Sequence, residues 1–140
     1  MGSGMNEAAM LGALLPLLLS GEGLEAALYC GYKGTGFFAS GRSIVTGYIG
    51  ITDRDRLVGQ KTGLLDVSAF AEELKDLKKL KISGALFGQK QVYFLFLGEK
   101  KREIKIQIAS KVYGNTFPDQ EKNFHTFLAR LEEKRAALPD

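Results

Sequence analysis

The 140-residue sequence has no tryptophan, one cysteine (Cys30) and one histidine (His125). A lone cysteine closes no disulfide within the chain, which fits a reducing, cytoplasmic setting. One histidine and one cysteine supply no zinc-ligand set and no Cys–His dyad evident from sequence. The Gly-x-Ser-x-Gly elbow of serine hydrolases is missing as well. Nothing near the start has the form of a secretory signal. The apolar run from Ala8 to Leu19 is broken by Gly12 and Pro16 and falls short of the roughly 20 residues that span a bilayer. These absences point away from an enzyme with a local catalytic signature, and no cofactor is expected.

Hydrophobic periodicity, by contrast, is plentiful. Val92 to Leu97 is a strongly apolar strand, Gly98-Glu99-Lys100-Lys101-Arg102 a basic turn, and Ile104, Ile106 and Ile108 share one face of a returning strand. After a polar loop, Phe117-Pro118-Asp119 opens a helix in which Phe124, Phe127, Leu128 and Leu131 form one apolar stripe. Such a stripe needs a sheet to cover. Upstream, Asn6 is placed to cap a helix carrying Leu11, Leu14, Leu15 and Leu18, which Pro16 ends or kinks near Leu15.

Between these helices the chain reads as short strands. Leu24, Leu28, Cys30 and Tyr32 alternate on one side of the first, and Ser43–Thr52 and Arg56–Gln60 form a hairpin about Asp53-Arg54-Asp55. Leu64–Val67 reads as strand, and Ser68–Leu77 as mixed, with a helical turn suggested by Ser68, Glu72 and Glu73. Lys79–Leu86 resumes β character. Parallel pairing needs crossovers of a dozen or more residues, and only Ser68–Leu77 has room for one, so the sheet is expected to be antiparallel. Gly34-Thr35-Gly36-Phe37-Phe38-Ala39 matches a nucleotide-binding fingerprint in letters only, because β-branched residues follow where a helix is required.

Seven antiparallel strands followed by a capping helix resemble the pleckstrin-homology-like (PH-like) family. Ile51-Thr52-Asp53-Arg54-Asp55-Arg56-Leu57-Val58 is similar to a hairpin of its bacterial branch, as are Gly21-Glu22 and the Phe124–Leu131 helix. The resemblance implies a mainly β, seven-stranded antiparallel barrel capped by a C-terminal α-helix, here with an extra N-terminal helix. Residues 1–4 then read as a cloning remnant, 5–22 as the leucine-rich helix and 23–138 as the PH-like domain. Two features differ from the family. Phosphoinositide-binding members carry several basic residues on the first strand and its loop, where this chain has only Lys33 and Arg42. Without tryptophan, Phe124 or Phe127 must fill the capping helix's core position.

The resemblance implies a non-catalytic binding or scaffold domain, and three surfaces stand as candidates. The first is apolar: Tyr93, Leu95 and Leu97 face away from the core side of their strand and need a cover, from Leu11, Leu14, Leu15 and Leu18 or from a protein partner or second copy. The second is a loop for anionic lipid headgroups, Lys33, Phe37, Phe38 and Arg42. The third is a basic face, Lys100, Lys101, Arg102 and Lys105, within a Lys78–Lys111 stretch of nine basic residues against two acids, in a chain of net charge +3. Nucleic acid is the less favoured partner for it, since core packing accounts for the neighbouring aromatics.

Overall fold

The computed structural model describes residues 5–33, 44–62, 67–84, 88–112 and 114–138. Helix α1 (Glu7–Leu14) precedes strands β1 (Leu24–Lys33), β2 (Ile44–Thr52), β3 (Arg56–Thr62), β4 (Val67–Glu73), β5 (Leu77–Gly84), β6 (Lys90–Leu97) and β7 (Lys101–Ile108), and helix α2 (Gln120–Ala137) follows. One antiparallel sheet holds all seven strands in the order β4-β3-β2-β1-β7-β6-β5. This is the expected PH-like arrangement, with one correction. The barrel is not closed: β4 and β5 are joined in sequence by the single turn Leu74–Asp76 yet are not paired.

Alternation decides the inner face. Ala26, Leu28, Cys30 and Tyr32 of β1 meet Phe94 and Phe96 of β6 and Ile104 and Ile106 of β7 in one core. Phe124, Phe127 and Leu131 of α2 are buried against it, with Leu128 partly so, and α2 lies along β1 and β5 as the lid the stripe predicts. The curl depends on glycine. A side chain at Gly59 would run into the Tyr32 hydroxyl and the Phe70 ring, so only hydrogen lets those rings enter the core. Tyr32 itself is fully enclosed and donates a 2.6 Å hydrogen bond to the Tyr48 carbonyl.

The words shared with the PH-like hairpin have a physical cause. Thr52 donates to Glu22 at 2.6 Å, while its oxygen accepts from the Arg56 amide at 3.1 Å. Arg56 pairs with Glu22 at 2.5 Å, and the Glu22 side chain is fully enclosed. Burial pushes this carboxyl up, but hydrogen bonds from Thr52, the Leu19 amide and Arg56 outweigh it and hold it below the ordinary range. Asp55, with φ of 58°, completes the turn and binds Arg130 (2.7 Å) and Lys134 (3.1 Å) of α2, fixing hairpin to lid.

The α1 prediction holds in part. Asn6 Oδ1 accepts from the Ala9 amide at 2.8 Å, and Pro16 lies in a short 3-10 turn, Leu15–Leu17, right after the helix. The buried stripe, however, is Met10 and Leu14, whereas Leu11 and Leu15 are exposed and Leu18 is partly buried. Alanine, methionine and leucine around the helix gave periodicity little contrast to read. Met10 and Leu14 pack with Ala27, Tyr48, Val58 and Phe117 in a second core on the outer face of β1 to β3. Ser68–Leu77 is mixed, as read, but its helical turn comes later than Ser68: strand β4 is followed by one 3-10 turn, Leu74–Asp76. Leu74, Leu77 and Leu80 are all buried, Leu74 from the turn and Leu77 and Leu80 from β5 on either side of its bulge, which imitates a helical period.

Sheet continuity between the halves is thin. Among the described residues β1 and β7 pair at only Gly31↔Gln107 and Tyr32↔Ile106. Beyond them Gln120, 3% exposed, fills the gap. Its side-chain amide accepts from the Tyr29 amide at 3.1 Å and donates to the Tyr29 and Ala109 carbonyls at 3.0 Å each. One side chain thereby does the work of a missing peptide unit.

Candidate functional site

With α1 covering the outer face of β1 to β3, the outer face of β5 to β7 stays open. Lys79, Lys81 and Ser83 on β5 alternate with the inward Leu80 and Ile82, as Gln91, Tyr93 and Leu95 on β6 alternate with Val92, Phe94 and Phe96. Tyr93 pairs with Lys81 on one side and Lys105 on the other. Carrying the β1–β7 register one residue past Tyr32↔Ile106 sets Lys33 beside Lys105. Lys33, Lys105, Tyr93 and Lys81 thus form a row across four strands, with strands about 4.8 Å apart. Lys79 stands diagonally beside it. These residues, with Ser83, Gln91, Val92, Glu103 and Ile106, line a depression of about 540 Å³.

The electrostatics are one-sided. Glu103 is the only acid in the lining, and the Tyr93 hydroxyl donates to it at 2.6 Å. That hydrogen bond holds the Glu103 carboxyl below its ordinary range, with Lys101 and Lys105 adding to the effect, and raises Tyr93. Lys105 also lies 5.9 Å from the Tyr93 ring centroid. None of Lys33, Lys79, Lys81 and Lys105 forms an ion pair among the described residues, whereas Arg56, Arg102, Arg130 and Arg135 all do. Lys33 and Lys105 oppose like charges across neighbouring strands, an arrangement unfavourable to stability.

The three predicted surfaces fare differently. Tyr93 and Leu95 are half-buried, shielded by lysine stems instead of by α1, while Leu97 is 47% exposed at the strand end. The structure therefore does not bring Leu11, Leu14, Leu15 and Leu18 to Tyr93, Leu95 and Leu97 within one chain. Of the lipid loop, Lys33 joins the row, and Phe37, Phe38 and Arg42 lie outside the described residues. The basic set divides. Lys105 is central, Lys101 shares the face at its end, and Lys100 sits in the hairpin turn. Arg102 points to the other side, 2.6 Å from Glu72 of β4 and over the Phe70 ring. Lys79 and Lys81 escaped notice as site residues, although their alternation with Leu80 and Ile82 marks them as outward.

Cys30 and His125 do not line this depression. Cys30 is buried, and burial pushes its thiol far above the ordinary range, so no thiolate forms. His125 is exposed with its ring edge-on to Phe124. Among the described residues no three His, Cys, Asp or Glu side chains gather to hold a metal ion, and no helix is long and apolar enough to cross a membrane.

No family model and no curated protein matches the sequence. By structure the chain is similar to the hSac2 domain from human phosphoinositide phosphatase Sac2. The TM-score is 0.55 at 13% identity, over 95% of this chain and 82% of that one. The likeness is one of fold.

Proposed function

We propose that the chain is a non-catalytic, PH-like binding module that takes phosphate-bearing headgroups at an anionic membrane surface in the depression over Tyr93. The observation that carries this is the row Lys33, Lys105, Tyr93 and Lys81, with Lys79 beside it: four lysines facing one acid already engaged by Tyr93. Lysine is a point charge on a flexible stem, suited to phosphate oxygens arriving from several directions. The similar fold from a phosphoinositide phosphatase supports the same direction. Sequence placed the anion site in the 33–42 loop; the proposal moves its centre to the outer sheet face and keeps Lys33. Assignment to the bacterial branch and to the cytoplasm rests on the hairpin words and on cysteine usage.

Vesicle sedimentation tests it. Binding is expected to rise with anionic lipid content, fall with salt, and drop at least tenfold with Lys81→Ala plus Lys105→Ala. Competition by free inositol phosphates indicates headgroup recognition, and its absence a diffuse surface contact. Equal binding to neutral vesicles, or tighter binding to a single-stranded oligonucleotide, overturns the reading. A second reading, protein contact, is favoured by the bare leucines Leu11, Leu15 and Leu19, exposed by 39%, 51% and 51%.

A further inference from the structure

The two edges of the sheet are guarded unequally. β5 carries Lys78, Lys79 and Lys81, all exposed, so two β5 edges repel one another. Among the described residues β4 pairs with β3 alone, and along Val67-Ser68-Ala69-Phe70-Ala71 it has neither charge nor proline. Val67 is 59% exposed, and Ala69 and Ala71 are exposed and small enough to let another backbone approach. The acids that end the strand are neutralised from within, Glu72 by Arg102 and Glu73 by Arg56 at 3.4 Å. Leu15, half bare, belongs to the short turn that packs against β4, which places apolar surface next to this edge.

We infer that β4 is an interaction edge whose occupant is β4 of a second copy, paired antiparallel about Phe70. The strand is self-complementary in that register. Ala69 faces Ala71 of the other copy, Ser68 faces Glu72 and Val67 faces Glu73, so no like charges are opposed. The contact is twofold and closed, giving a dimer and not a fibre. It is independent of the lysine face, which spans β1 and β5 to β7, with β2 and β3 between it and β4.

Sedimentation velocity over a wide concentration range is the test. The wild-type chain is expected to shift reversibly from monomer to twice the monomer mass. Ala69→Lys with Ala71→Lys opposes like charges and is expected to leave only monomer. Ala69→Lys with Ala71→Glu in the same chain opposes unlike charges and is expected to restore the dimer, which also shows that substitution at these exposed positions leaves the fold intact. A wild-type chain that stays monomeric at the highest concentration, a double-lysine variant that dimerises like wild type, a Lys/Glu variant that stays monomeric, or a ladder of higher oligomers overturns the inference.

Discussion

One sheet presents two outer faces, and they are treated in opposite ways. Over β1 to β3 the face is apolar, and α1 closes it by burying Met10 and Leu14 with Ala27, Tyr48 and Val58. Over β5 to β7 the face carries lysines around one tyrosine and is left to solvent. A sheet with both faces apolar needs two covers, and a sheet with one wet side needs one. Here the choice is made strand by strand, so the covered half serves stability and the bare half is free for binding.

Four changes break or sharpen that contrast. Leu14→Ala removes the centre of the covered face and is expected to cost about 2–5 kcal/mol in denaturant unfolding. Gln120→Leu leaves the Tyr29 and Ala109 backbone groups without partners and is expected to cost about 2–3 kcal/mol, since each unmet buried group costs about 1–3 kcal/mol before water repays part. The buried Glu22 sets the acid limit. Its folded pKa lies below the ordinary 4.5, so its contribution is complete above that pH and is lost as pH falls through the folded value. Stability measured against pH should fall below about pH 4.5, and Glu22→Gln, though less stable at neutral pH, should flatten that limb. The smallest effect belongs to the bare face: Lys81→Ala with Lys105→Ala is expected to alter stability by less than about 0.5 kcal/mol while lowering binding to anionic vesicles at least tenfold. A large loss of stability there would make the lysine row structural.

What could be read from sequence was local. The α2 stripe, the β1 alternation from Leu28 to Tyr32, the β6–β7 hairpin and the Asn6 cap each depend on neighbours within a few residues, and each is found, whereas the bulge between Leu24 and Ala26 turns Leu24 to the outer face beside α1. The face that α1 buries was illegible because a helix with apolar alanine, methionine and leucine all round has no directional signal. The lysine row was half legible: Lys79, Lys81 and Lys105 declare their outward direction by alternation, but Lys33 joins them only through a β1–β7 pairing across more than 70 positions. Gln120 gave no warning, since a glutamine that begins a helix is ordinarily solvated.

The short β1–β7 ladder gives the molecule a seam. Two leaves, β1 to β4 with α1 and β5 to β7, are joined within the sheet, among the described residues, by two paired residues and one glutamine, and α2 straps both by touching β1 and β5. When the strap frays, the leaves part along that line first, so amide protons at Tyr29 and Gly31 should exchange with deuterium sooner than those buried within either leaf. The mechanical weak point of this protein is its spine.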